Sequence, residues 1–230
     1  NSLTDRLKLW LINSGYLYYI TRFFKPESRL LELGCASGIS YFGKRYNMVG
    51  ADISYASLKH TAGIYNLAIQ ADLTKPLPFF NNTFDGIISS FFWEHIPFDK
   101  KSDILIENHR ILKDKGKLVF LFDVASQNRL IKRLMKRNKN LYRQIFIEGD
   151  GHLGYHTIDE NIQLMISSGF KVKQVKGFEK TLLQSPPVFQ KMIAFGGWFS
   201  KVGQIIHQLD KRGFYYIHIF LTRFFDSTVG

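Results

Sequence analysis

Apolar residues along this chain recur in two alternating rhythms. Residues 3–24 set Leu3, Leu7, Leu11 and Tyr18 at helical spacing, which predicts a leading amphipathic helix that Pro26 ends. Short apolar runs of strand length follow at Arg29–Leu33, Met48–Asp52, Leu67–Gln70, Phe84–Ser89 and Lys117–Phe122. The stretches between them read as helices over about 37–44, 56–65 and 100–112, with Ser54 placed as an N-cap. Thr157 followed by Glu160 has the form of a capping box. It predicts a helix that stops at Gly169, with Phe170–Val175 as a sixth strand. Beyond Pro186-Pro187, two amphipathic helices are expected near 188–209 and 213–225. Apolar strands alternating with helices are the pattern of an α/β fold with a largely parallel sheet covered on both faces.

Composition narrows the class. The chain has 230 residues, 45% of them hydrophobic, enough for one substantial core and for one domain, or one domain with an appendage. Cys35 is the single cysteine; it cannot form an internal disulfide, and no Cys/His cluster has zinc-like spacing, so a reducing, cytoplasmic setting is the simplest inference. No N-terminal signal pattern is visible, and no apolar run approaches the roughly 18 residues of a membrane span.

The net charge is +12, and it is unevenly placed. Arg129, Lys132, Arg133, Lys136, Arg137, Lys139 and Arg143 fall within residues 129–143 with no acid among them. Such a segment is either a solvated helix face or a surface for an anionic membrane, a phosphate-bearing substrate or RNA. The stretch 185–230 adds aromatics interleaved with Lys and Arg. Its helices would lay aromatic faces on the core, on a homodimer partner or on a bilayer interface.

The run Leu30 to Gly38, LLELGCASG, joins an apolar strand to an acid and two glycines. Glycines at Gly34 and Gly38 allow a tight turn that a ligand can approach closely, and the following helix start offers free N–H groups. Asp52 closes the next apolar run, near the spacing of about 20 at which a second strand brings a carboxylate to ribose hydroxyls. A second passage, PLPFFNNTFDGIISSFFWEHI, holds a turn at Asn81-Asn82, a buried strand and then Glu94-His95. Together the two passages resemble the class I S-adenosylmethionine-dependent methyltransferase superfamily, whose first motif runs E/D-x-G-x-G-x-G; Ala36 stands at the middle glycine.

The resemblance implies a Rossmann-like, doubly wound, mostly parallel seven-stranded sheet flanked by helices. A cofactor-binding domain over residues 1–184 would carry a basic insertion at about 124–155, and residues 185–230 would form a helical C-terminal extension or cap. By the same resemblance Glu32 orients the methionine amino group of S-adenosylmethionine, and the backbone of Gly34, Ala36 and Gly38 passes along methionine and ribose. Asp52 accepts from the ribose hydroxyls, and Ile53 lies against adenine. Asp72 and the Leu73 backbone meet the adenine edge, while Ser89 and Ser90 flank the methionine end. The plain alternatives are that Asp52 and Asp72 cap helices and that Glu32 pairs with a buried cation.

For catalysis the candidates are His95 after the fourth strand, and His152 and His156 in the loop before the 157 helix. Each could instead cap or pack. The expected activity is methyl transfer to an oxygen or nitrogen of a small metabolite, lipid-like or sugar-derived, leaving S-adenosylhomocysteine. The alternatives are an RNA or protein methyltransferase using the basic segment 129–143, and a non-catalytic partner or membrane-associated subunit of the same fold. Strand four ends in Ser89-Ser90-Phe91-Phe92 and lacks the Asn/Asp-Pro-Pro-Tyr/Phe motif of many base-nitrogen enzymes, so nucleic acid is the less favoured partner. A cytoplasmic protein, peripheral at an anionic membrane if the basic and aromatic segments act together, is the expectation.

Overall fold

The computed structural model describes residues 9–11, 15–126 and 128–228. Five strands form its sheet: β1 (Arg29–Leu33), β2 (Asn47–Asp52), β3 (Leu67–Gln70), β4 (Phe84–Ser90) and β5 (Leu112–Leu121). All pair in parallel, in the order β3-β2-β1-β4-β5. Leu30, Leu31, Leu33, Ile87 and Ile88 are fully buried, because β1 and β4 are covered on both faces. Each such side chain contributes roughly 1.5–3 kcal/mol relative to exposure. Leu31 pairs with Val49 on one side and Ile87 on the other, so β1 is the centre of the sheet. The strand order reverses beside it, and in open α/β sheets that reversal marks where ligands meet the carboxyl ends of the strands.

The expected seven strands are five among the described residues. Phe170–Val175 is irregular rather than a sixth strand. Its alternation is real: Phe170 and Val172 are half-buried while Lys171 and Lys173 are exposed, and Phe170 packs under the His109 ring with centroids 5.5 Å apart. Alternation reports which side chains face inward; it does not supply a strand to pair with. Gln174 and Val175 are exposed, so little apolar burial fixes the backbone there. β5 begins earlier than expected, directly after the helix Phe98–Ile111. Phe84 pairs with Leu112 and Gly86 with Lys117; the intervening residues absorb the register shift through Lys115 at φ +59°.

Local signals hold at the caps. Ser54 accepts from Ser57 N–H at 3.3 Å at the start of the helix Tyr55–Thr61. Thr157 and Glu160 form the full capping box of the helix Ile158–Ser167. That helix ends at Gly169, φ +92°, where Phe170 N–H returns to the Met165 carbonyl at 3.0 Å. Of the leading helix, Tyr16–Phe23 and residues 9–11 are helical; Leu3 and Leu7 lie outside the described residues.

Residues 16–124 and 153–173 form one compact unit, which contains the sheet. The described parts of 1–15, 125–152 and 174–230 form a second, helical one. In the helical unit, Leu130, Ile131 and Leu134 of the basic helix Arg129–Arg137 join Tyr142, Phe146, Phe189, Met192 and Phe195 in a core of their own. The expected helix over 188–209 is two, Pro186–Met192 and Gly197–Leu209. Gly196 and Gly197 take φ +69° and +56° between them, a left-handed step that helical periodicity alone does not reveal. The last helix is Tyr215–Thr228, after a kink at Gly213.

Candidate active site

The turn after β1 is built from three left-handed residues, Gly34 at φ +63°, Ala36 at +44° and Gly38 at +72°. Gly34 has no alternative: a Cβ there would sit 2.4 Å from Cδ2 of Phe92. Ala36 adopts the left-handed conformation although its Cβ disfavours it, and the turn survives because it is tied at several points. Asp52 accepts from Ala36 N–H at 2.8 Å through Oδ2 and from Ser54 N–H at 2.8 Å through Oδ1. Thr61 Oγ1 donates to the Ala36 carbonyl at 2.6 Å. One carboxylate at the end of β2 thus holds the turn after β1 and the start of the next helix.

Beneath the turn lies Glu32, 2% exposed. Its Oε2 accepts from the Tyr65 hydroxyl, whose oxygen in turn accepts from Ile39 N–H at 2.9 Å. Burial pushes the Glu32 carboxyl up to about 8, against the lowering effect of the Tyr65 bond. Among the described residues it has no cationic partner, so the alternative of a buried ion pair fails. Burial also raises the hydroxyl of Tyr16, which the charge of Glu32 raises further. A buried acid without a cation among the described residues, beneath a turn whose two glycines carry no Cβ, fits a cofactor that carries an ammonium group.

The remaining cofactor candidates sit around the same strand ends. Ile53 is 68% exposed just past Asp52, and its carbonyl accepts from Gln70 Nε2 at 3.0 Å. Asp72 is exposed after β3; its Oδ1 accepts from Thr74 N–H and Oγ1 at 3.0 and 2.7 Å. Those bonds hold its carboxyl below the usual range. Leu73 is buried in the sheet's core. Ser89 is buried and donates to the Leu33 carbonyl at 3.0 Å, stapling β4 to β1, whereas Ser90 at the strand end is half-buried.

Past Ser90 the chain turns sharply at Phe91, φ +52°, into the short helical turn Trp93–His95. Glu94 there is 1% exposed. Its Oε1 lies 3.4 Å from Asp123 N–H, its Oε2 has no hydrogen-bond partner among the described residues, and burial pushes it up to about 7. Fully buried Lys101 donates to the Gly154 carbonyl at 2.9 Å and to Asn161 Oδ1 at 3.3 Å, and lies 4.8 Å from the Trp93 ring centroid. Burial pulls its ammonium down to about 8, against the attraction of Glu94. Asn161 also accepts from Trp93 Nε1 at 2.8 Å, so one amide joins the 157 helix to the turn after β4.

Of the three histidines, His95 and His156 belong to the sheet unit. His95 is half-buried at the end of the turn. His156 stacks on Phe98 with centroids 4.0 Å apart, and its Nδ1 is buried without a hydrogen-bond partner among the described residues. His152 belongs to the helical unit, 9% exposed, its N–H bonded to the Ile147 carbonyl at 2.9 Å. Tyr65, Thr61, Phe92, Lys101 and Asn161 carry no motif that marks them, and sequence reasoning missed them. A cavity lined by Phe23, Ser28, Asp85, Lys113 and Lys117 opens at the amino ends of β1 and β4, away from the glycine turn.

Comparison with known proteins agrees with this geometry. No curated protein sequence matches the chain significantly. Among solved structures, the fold is shared with a SAM-dependent methyltransferase from Archaeoglobus fulgidus, at TM-score 0.58 and 18% identity over 76% of this chain and 72% of that one. A S-adenosylmethionine-dependent methyltransferase from Mesorhizobium loti gives 0.56 and 20%, over 75% and 88%. One from Methanosarcina mazei gives 0.55 and 24%, over 70% and 89%. Residues 31–120, from β1 through β5, match the methyltransferase-domain family. That match lies over the glycine turn and the reversal in strand order, so this stretch is similar to a methyltransferase domain, and the chain shares the fold of S-adenosylmethionine-dependent methyltransferases.

Proposed function

We propose that the chain binds S-adenosylmethionine across the turn 34–38 and transfers its methyl group to an oxygen or nitrogen of a small metabolite, lipid-like or sugar-derived. The observation that carries this reading is the convergence of Glu32, the left-handed turn and Asp52 at the strand-order reversal. When bound, the cofactor supplies an already activated methyl on sulfur, so the protein's task is alignment and the exclusion of water. In this reading Glu32 faces the ammonium group, and the Gly34–Gly38 backbone runs along methionine and ribose. Asp52 receives ribose hydroxyls on the lone pairs that Ala36 and Ser54 leave free. Ile53 covers adenine, Asp72 and the Leu73 backbone take its edge, and Ser89 and Ser90 support the methionine end.

A hydroxyl acceptor needs a proton removed as the methyl arrives. His95, with its neighbour Glu94, and His156 are proposed for that task; His152, in the helical unit, is the third candidate. The rival acceptor is RNA or protein, favoured by the exposed basic face of the helix Arg129–Arg137.

Calorimetry with S-adenosylmethionine tests the reading. Wild type should bind, and Asp52→Ala should weaken binding at least about tenfold, the scale of one lost charge-assisted contact. Failure of wild type to bind sinks the proposal. Unchanged turnover in His95→Ala removes that residue from proton transfer. Tight binding of transfer RNA at physiological salt, lost when Lys132, Arg133, Lys136 and Arg137 become Gln, would move the acceptor to RNA.

A further inference from the structure

The helix Tyr215–Thr228 is inverted. His218, Thr222 and Arg223 are 7%, 5% and 9% exposed, while Tyr216, Ile217, Phe220 and Phe224 are 72%, 53%, 40% and 50% exposed. A helix that merely covers a core turns its apolar stripe inward and its polar residues out. Here the inward polar groups are matched. His218 contacts Asp210 through Nδ1 at 3.0 Å and the Gln184 carbonyl through Nε2 at 2.8 Å. Thr222 Oγ1 donates to the His218 carbonyl at 3.0 Å, and the Arg223 guanidinium lies over the Trp10 and Phe178 rings at 6.0 and 5.6 Å. Burying polar groups is costly unless they are bonded, so these partners hold the helix with its aromatic side outward.

The charge around that side selects what covers it. Lys211 and Arg212 are exposed in the kink just before Tyr215, and Lys201 and Trp198 are exposed on the preceding helix Gly197–Leu209. The segments 125–152 and 174–230 together hold 14 Lys and Arg against 5 Asp and Glu. A second copy of this chain would bring the same excess of cations to the contact and be repelled. An anionic bilayer satisfies both the rings and the charges. A helix of 14 residues rises about 21 Å, short of the roughly 30 Å of a hydrocarbon core. No helix among the described residues is long and apolar enough to cross a membrane.

We propose that the helices Gly197–Leu209 and Tyr215–Thr228 form a docking surface for an anionic lipid bilayer, lying in its interface with Trp198, Tyr216, Ile217 and Phe220 among the acyl chains and Lys211 and Arg212 at the headgroups. This inference does not depend on the methyl-transfer reading, since lipid binding is measured without turnover.

The test is flotation of the full chain with phosphatidylcholine vesicles, with and without roughly a quarter of phosphatidylglycerol. Wild type should float with the anionic vesicles and bind neutral ones at least about tenfold more weakly. Tyr216→Ser combined with Phe220→Ser should reduce binding at least about tenfold. Lys211→Gln with Arg212→Gln should weaken it and flatten its salt dependence. All four side chains are exposed, and far-ultraviolet circular dichroism checks that the fold is kept. As a measurement without those variants, brominated acyl chains should quench wild-type tryptophan fluorescence on binding and lose most of that effect in Trp198→Phe. No flotation with anionic vesicles overturns the proposal, as does undiminished binding by the Tyr216/Phe220 variant. A solution dimer, or an RNA complex, that this variant abolishes while wild type fails to float would assign the surface to that partner instead.

Discussion

Replacing Glu32 by Gln probes the electrostatics under the glycine turn. In the wild type the carboxyl is 2% exposed, accepts from Tyr65, and is pushed by burial from 4.5 up to about 8. An acid whose folded pKa exceeds its unfolded one keeps its proton longer in the folded chain. Between pH 4.5 and about 8 the folded state therefore binds more protons than the unfolded state, and stability falls as pH rises through that window. At about 1.36 kcal/mol per pH unit, the loss reaches about 3 kcal/mol at pH 7 and about 5 kcal/mol above pH 8, as upper bounds. Gln can still accept from the Tyr65 hydroxyl but has no charge to desolvate.

The variant should match wild type near pH 4.5 and exceed it increasingly up to pH 8, after which the difference stays level. Urea unfolding followed by circular dichroism at several pH values reads this directly. The same substitution should weaken S-adenosylmethionine binding, because the ammonium group loses its carboxylate. At pH 7 wild-type binding should also release a proton, seen as a dependence of calorimetric heat on the buffer's ionisation enthalpy. A variant that is less stable at every pH, or more stable by a constant amount, would refute the picture of an unpaired buried acid. Stability gained as binding is lost is the trade expected at a functional site.

Three further outcomes follow from the geometry. Gly34→Ala should destabilise the chain by at least about 1–2 kcal/mol from the left-handed backbone alone; thermal melts should show only partial recovery when Phe92→Ala removes the contact at 2.4 Å. Burial holds Lys101 down at about 8 from 10.5, so its folded state binds fewer protons between those values. Wild type should therefore gain up to about 3 kcal/mol on Lys101→Met as pH rises through that window, and a flat difference would contradict it. Thr157→Ala removes the hydroxyl that accepts from Glu160 N–H and should cost about 1 kcal/mol in urea unfolding. An unchanged midpoint would mean that the capping box contributes nothing.

β1, β2 and β4 were legible because strands buried on both faces leave near-continuous apolar runs, and Ser54 and Thr157 because capping needs few residue types at fixed spacing. The positions of Glu32 and Asp52 near the carboxyl ends of β1 and β2 were legible for the same reason of spacing. Lys101 was not. In DKKSDILIENH a lysine beside another lysine reads as solvent-facing, and its partners Gly154 and Asn161 stand 53 and 60 residues away. Tyr65 is equally silent, since its use depends on a carboxylate 33 residues earlier. The irregular path of Phe170–Val175 could not be read either, because a pairing partner is a property of the sheet and not of the segment.

The inverted C-terminal helix shows where periodicity stops. A pattern of aromatics and polar residues every three or four positions fixes two faces but not which one turns inward. Convention assigns the aromatic face to the core. Asp210 and Gln184 overrule it by giving the inward-facing His218 and Thr222 hydrogen-bond partners inside. The consequence bears on function. Methyl transfer from an activated sulfonium asks mainly for alignment, which does not by itself call for a cationic, aromatic-faced helical unit. A reason appears if the acceptor is itself amphiphilic: a bilayer concentrates such molecules in two dimensions, and an enzyme held in the interface meets them there without extracting them into water.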